Sequence, residues 1–161
     1  MYKRQAIDAC RRVGLPLRIV GTGPERERLM KAAGPDVTFL GSVTNEAIRD
    51  LYRRATAVLL PGEEDFGIAP VEAQACGRPV VALGRGGALE TVLDGVTGIL
   101  VEESSGEALA EGITRACQTR FESEVIRRHA LKFDRSAFAA AIATSIEELL
   151  ADASEAHGQT V

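Results

Sequence analysis

A chain of 161 residues with 45% apolar content suits one globular domain with a sizeable core. Its net charge of −4, with acids and bases interspersed, lacks the concentrated basic face of a nucleic-acid binder. Aromatic residues make up 4% and Trp is absent, so an aliphatic core is expected, as in a parallel sheet covered by helices. The three cysteines, Cys10, Cys76 and Cys117, are an odd count without metal-site spacing, and each falls in a predicted helix. They read as small buried residues in a reducing compartment. No leader pattern and no bilayer-length apolar run is present, which predicts a soluble, cytoplasmic chain.

Lys3 to Val13 carries Ala6, Cys10 and Val13 on one helical face, with Gly14 as its stop. The opening Met1-Tyr2-Lys3-Arg4-Gln5 supplies neither a strand nor an N-cap, as if the chain began inside a longer protein. Leu17 to Val20 is a short strand that runs into Gly21-Thr22-Gly23-Pro24. A helix opens at Pro24, has Glu25 in its first turn, and ends at Gly34. Val37 to Leu40 is the next strand, followed by Gly41-Ser42. Thr44 or Asn45 can cap a helix in which Ala47, Ile48, Leu51, Tyr52 and Ala55 repeat at helical spacing.

The run Ala57-Val58-Leu59-Leu60 is short enough for a buried strand. A Gly- and acid-containing turn leads to an Ala-rich helix that starts near Phe66-Gly67 and closes at Gly77. The strand Pro79 to Leu83 completes a βαβ unit. Gly84 to Gly87 leads into a short helix, Ala88 to Leu93, then the turn Asp94-Gly95 and the strand Gly98 to Val101. A helix from Ser105 turns Leu109, Ile113 and Ala116 inward, and another spans Phe121 to Leu131. The last runs from about Ser136 to Leu150, with Phe138, Ile142, Ile146 and Leu149 predicted inward. Alternating strands and helices argue for a doubly wound, parallel α/β domain over 1–150, with 151–161 as a flexible tail.

In such folds ligands bind beyond the carboxyl ends of the strands, where helix N–H groups point outward. Glu64 and Glu72 straddle the helix that follows Leu60, with seven residues between them. Two acids near a helix start are, on spacing alone, ordinary favourable capping. The continuous run GEEDFGIAPVEAQACGRPVVA closely resembles the donor-site signature of retaining nucleotide-sugar glycosyltransferases of the GT-B fold. The chain is identified as a member of that family over about Ala6 to Leu150, which implies a Rossmann-like donor half.

The resemblance implies that Glu72 binds the ribose and that Glu64 faces the transferred sugar, offsetting the positive charge that develops as the nucleotide leaves. One carboxylate suits a diol, because it accepts from two hydroxyls through charge-assisted bonds. The N–H groups of Phe66, Gly67 and Ile68 are candidates for the pyrophosphate, since a helix start favours an anion by roughly 0.3–1 kcal/mol. Gly21 and Gly23 belong to a turn that lies near the nucleotide in the family, and Ser42 and Val43 to a segment that flanks the nucleobase. As a dinucleotide fingerprint Gly21-Thr22-Gly23-Pro24 is a poor match, and alone it is a tight turn. Gly86-Gly87-Ala88-Leu89-Glu90 resembles the family's Gly-Gly-x-x-Glu turn, the alternative being a turn with a helix-starting acid. His129 and His157 lack partners at ligand spacing and are assigned no chemistry. The resemblance implies a nucleotide-sugar co-substrate, no cofactor and no metal.

Family members add an N-terminal acceptor domain and, before the first helix here, a strand and a loop with Arg and Lys that neutralise the diphosphate. Without that strand, Lys3 and Arg4 are not assigned the role. The absent strand belongs mid-sheet, between Leu17–Val20 and Thr56–Leu60. Losing three or four buried aliphatic residues there forfeits roughly 5–10 kcal/mol, against a total of about 5–15 for a domain. A chain without it is expected to be marginally stable. The expected function is the donor half of a retaining, metal-independent hexosyltransferase acting on a glycan or lipid-linked acceptor. The form Glu64-Asp65-Phe66-Gly67-Ile68, with Pro70 and Gln74, looks most like users of GDP-mannose. Peripheral membrane contact is expected only through the missing half. An inactive, truncated nucleotide-binding module is the alternative. A nucleotide-sugar epimerase ranks below it, because the Ser-Gly-Gly-x-Gln-Glu-Glu pattern is absent.

Overall fold

A computed structural model describes residues 2–158. Its elements, in order, are α1 (Tyr2–Val13), β1 (Leu17–Val20), α2 (Arg26–Ala32), β2 (Val37–Gly41), α3 (Asn45–Arg54), β3 (Val58–Leu60) and α4 (Ile68–Ala75). There follow β4 (Val80–Leu83), α5 (Ala88–Thr91), β5 (Gly98–Val101), α6 (Gly106–Gln118), α7 (Ser123–Ala130), a 3-10 turn (Leu131–Phe133) and α8 (Arg135–Gly158). Hydroxyl caps set two of the helix starts. Thr44 Oγ1 accepts from the Ala47 N–H at 3.3 Å, and Ser105 Oγ accepts from the Ala108 N–H at 3.0 Å.

All the strand pairs are parallel, which gives the α/β architecture that the alternation predicts. The sheet comes in two pieces, β1–β2 and β3–β4–β5, and no ladder joins β1 to β3 among the described residues. The break falls where the family resemblance placed an additional strand. Helix α1 ties the two pieces together. Its Ile7 packs with Ile19 and Leu29, while its Ala9 and Cys10 pack with Val81, Ile99 and Leu109.

Strand β4 is buried on both faces. One face carries Val81, which meets Leu109, Ile113 and Ala116 of α6. The other carries Val80 and Ala82, which meet Ala73 of α4 and Ala88 of α5. Gly112 lets α6 approach closely, since a Cβ there would lie 2.6 Å from Val101 Cγ1 and 2.9 Å from Val81 Cγ1.

Some boundaries and burials differ from expectation. Pro24 and Glu25 form a turn, closed by the Arg26 N–H on Gly23 O at 3.1 Å, so α2 starts two residues later than predicted. Helix α5 stops at Thr91 because Val92 is extended (φ −121°, ψ 124°). Phe138, Ile142, Ile146 and Leu149 are not inward but 46–68% exposed. Helical spacing puts them on a common face of α8, but spacing supplies no partner, and α8 leaves the domain body after the 3-10 turn. Only Cys10 is a buried cysteine, its thiol pushed up to about 11 by burial. Cys76 is half-buried and Cys117 is exposed on the outer side of α6. Helix α8 continues through 151–158, while Met1 and residues 159–161 of the expected tail lie outside the described residues. No helix of the described residues is long and apolar enough to cross a membrane.

Candidate functional site

The loop after β3 is held from three sides. Ser104 Oγ donates to Pro61 O at 2.6 Å, and Gln5 of α1 is hydrogen-bonded to Ser104. The ring of Tyr2 packs on Gly62, where a Cβ would lie 2.5 Å from Tyr2 Cδ2. From the other side, the Gly87 N–H donates to Glu64 O at 2.9 Å. A Cβ on Gly87 would lie 2.4 Å from Phe66 O, and one on Gly86 would lie 2.5 Å from Glu64 O. Both glycines are there for close backbone approach.

The held loop delivers the chain to α4 through Gly67, whose φ of +75° is left-handed. The start of α4 has no side-chain cap, so its first N–H groups are not taken by a side chain. Gly67 itself is buried, whereas Phe66 and Ile68 are exposed beside it. The Glu64 carboxylate lies at this end, with its Oε2 3.5 Å from a Cβ position on Gly67. Pro70 sits in the first turn, where its missing N–H removes no helical hydrogen bond.

Glu72 stands one turn further along α4 and is oriented by α3. The Tyr52 hydroxyl donates to Glu72 Oε2 at 3.2 Å. Burial, and then the charge of Glu72, push the Tyr52 phenol up to about 12, so it remains a neutral donor at neutral pH. Periodicity placed Tyr52 on the inner face of a helix; only the packing of α3 on α4 reveals its contact with a candidate ligand group.

Beyond β1 and β2 the chain builds a second group of loops. The Gly21 N–H donates to Gly41 O at 2.7 Å, which joins the two turns, and Gly21, Gly23 and Gly41 all have positive φ. Lys3 projects here from α1, with its Nζ 3.6 Å from a Cβ position on Gly21. It lines a hollow of about 80 Å³ with Gly21, Thr22, Gly23 and Arg26. Ser42 is exposed and Val43 half-buried just past β2, and neither is hydrogen-bonded to Glu64 or Glu72. The first turn of α1 therefore spans both groups, with Tyr2 on Gly62 and Lys3 on Gly21. Sequence reasoning set Lys3 aside for want of a preceding strand; the fold brings it to the crevice regardless.

Parallel strands flanked by helices, with loops gathered at the strands' carboxyl ends, match the Rossmann-like C-terminal half of a GT-B glycosyltransferase. The chain belongs to the family described as Glycosyl transferases group 1, whose model matches residues 3–119. It is 42% identical over 122 residues to a D-inositol 3-phosphate glycosyltransferase of Geodermatophilus obscurus, a match covering 70% of this chain and 27% of that protein. Among solved structures, a sucrose-phosphate synthase from Thermosynechococcus elongatus matches with a TM-score of 0.75 at 28% identity, covering 93% of this chain and 43% of that one. An Anabaena protein solved in complex with UDP and glucose matches with a TM-score of 0.66 at 26% identity, covering 91% of this chain and 45% of that one. The chain thus spans little more than a quarter of its curated relative's length.

Proposed function

We propose that this chain is the donor-binding half of a retaining hexosyltransferase and takes a nucleoside-diphosphate sugar in the crevice beyond β1, β3 and β4. The observation that carries the reading is the uncapped start of α4, held by Gly86 and Gly87 between the carboxylates of Glu64 and Glu72. In this reading the diphosphate lies against the N–H groups of Phe66, Gly67 and Ile68, with Lys3 as the neighbouring cation in place of a metal ion. Glu72, steadied by Tyr52, accepts from the ribose diol. Glu64 faces the sugar and offsets the charge of an oxocarbenium-like centre as the diphosphate departs. Gly21, Gly23, Ser42 and Val43 border the nucleobase end.

GDP-mannose is the donor proposed from the loop sequence, and UDP-glucose is the principal competitor, because a related structure holds UDP and glucose. The acceptor site, the completed reaction, a glycan or lipid-linked acceptor and any membrane contact belong to the further length that the relatives carry. A cytoplasmic setting suits a nucleotide-sugar donor.

Calorimetric titration of the chain with GDP, UDP, GDP-mannose and UDP-glucose tests the reading. Selective binding by one base, lost at least tenfold in Glu72→Ala, is expected. Nucleotide binding that persists in the full-length protein without glycosyl transfer to any acceptor would favour a binding module without catalysis. No binding by a folded chain would refute the site.

A further inference from the structure

The crevice loop is anchored to a buried polar cluster that the donor chemistry does not use. Gln74 and Thr91 are fully buried and His129 nearly so, three of the few buried polar side chains among the described residues. Their hydrogen bonds converge on one atom. Thr91 O, the last carbonyl of α5, accepts from Gln74 Nε2 at 2.7 Å and from His129 Nε2 at 3.2 Å. A carbonyl can only accept, so Gln74 must present its amide N–H and His129 its Nε2–H tautomer. Gln74 Oε1 and His129 Nδ1 then make no hydrogen bond within the protein. An apolar trio of similar volume would fill this space without stranding polar atoms, which argues that the cluster is retained for geometry.

Two routes lead from this cluster to the loop. Helix α5 is a single turn and cannot hold itself. At its far end the Thr91 hydroxyl donates to Gly87 O at 2.8 Å, and Gly87 in turn donates its N–H to Glu64 O. The second route is aromatic. His129 meets Phe133 edge-on at 5.5 Å between ring centroids, and Phe133 meets Phe66 edge-on at 6.1 Å. The routes end on the backbone of Glu64 and on Phe66, at the start of α4.

We propose that Gln74 and His129 are positioning residues: by clamping Thr91 O they fix α5, and through Gly87 and Phe133 they set where the Glu64 carboxylate stands against the bound sugar. The inference rests on the donor-site reading given above. It concerns how Glu64 is aimed, so it separates recognition of the sugar from recognition of the diphosphate.

The test uses the full chain with three substitutions. Gln74→Met keeps the volume and removes the donor. His129→Leu removes the other donor. His129→Gln keeps an N–H at the position of Nε2. Amide hydrogen exchange is read at Gly87 and, as a core reference, at Val81. Affinities are read for whichever pair the parent chain binds, GDP and GDP-mannose or UDP and UDP-glucose. Gln74→Met and His129→Leu are each expected to speed Gly87 exchange at least tenfold relative to Val81. They should also cut sugar-nucleotide affinity about tenfold while leaving the bare diphosphate within about threefold. His129→Gln should restore both readings toward the parent. Exchange that changes equally at Gly87 and Val81, or equal loss of both nucleotides, would overturn the clamp. Should the parent chain bind neither pair, the donor reading fails, and Gly87 exchange still decides whether the cluster holds the loop.

Discussion

The two pieces of the sheet are built from similar apolar strands and end in different states. In β4 every residue of Val-Val-Ala-Leu is buried, and in β5 three of the four are. In β1 only Ile19 is buried, and in β2 no residue is. Arg18 and Thr38 mark the difference in the sequence. They pair in register and point to a face left exposed, whereas β4 and β5 contain no polar residue at all. Continuous apolar strands take helices on both faces; alternating ones take them on one. The loop that carries Glu64 leaves β3, where only Leu60 is buried but which pairs with the fully covered β4, and the loops at Gly21 and Gly41 leave the half-covered piece. The rigid end of the crevice should therefore be the one that holds Glu64 and Glu72.

The largest effect expected from this contrast is in core truncation. Leu109→Ala, at a fully buried site under β4 and β5, should cost about 3–5 kcal/mol in urea unfolding. Ile19→Ala, at the half-covered piece, should lie near 2 kcal/mol, the lower end of the same series. Equal losses would erase the distinction between the two pieces.

Next in size is Gly87→Ala. Its new methyl would meet the Phe66 and Asp65 backbone, which cannot swing aside as a side chain can. A loss of about 1–3 kcal/mol is expected, together with weaker sugar-nucleotide binding. The same substitution at Gly23, which has open space around it despite its left-handed φ, should change binding less. Titration of both variants ranks the two loops directly.

Tyr52→Phe is a smaller change. It removes one hydrogen bond to a carboxylate that is exposed, so a loss of roughly threefold to tenfold in nucleotide affinity is expected. An unchanged affinity would mean that Glu72 needs no steadying from α3.

The smallest effect is a pH dependence. Burial holds the His129 imidazole below its ordinary value of 6.5, only partly offset by its bond to Thr91 O, and Lys132 lowers it further. A base whose folded value is depressed binds more protons when unfolded. Its contribution to stability is therefore complete above pH 6.5 and declines as the pH falls below that value. Thermal melts of the parent and of His129→Gln between pH 7.5 and 5, run as roughly half-unit steps, should converge toward the acid end. Parallel curves would show that His129 does not titrate in this window.

Much of this was legible in the sequence, for identifiable reasons. The strand Leu17–Val20, the caps at Thr44 and Ser105 and the turn at Gly67 are local decisions, set by side-chain pattern, hydroxyl caps and backbone freedom. The parallel, doubly wound arrangement followed from the alternation of strands with helices. The 61–83 stretch carried its family resemblance in an unbroken run of residues. What failed was inference from spacing to burial. Phe138, Ile142, Ile146 and Leu149 lie on a shared face of α8, but a period states which residues are neighbours and not what faces them.

The sequence by itself determined the order of elements, the fold class, the family and the neighbourhood of Glu64 and Glu72, because these depend on residues close together along the chain. Only the tertiary structure decided that Tyr52 steadies Glu72, that Lys3 reaches the Gly21 turn, and that Gln74 and His129 meet on one carbonyl. Each of those contacts joins residues 17 to 38 positions apart on different helices or loops. Their meeting depends on how the helices pack over the sheet, and single-sequence periodicity carries no information about that packing.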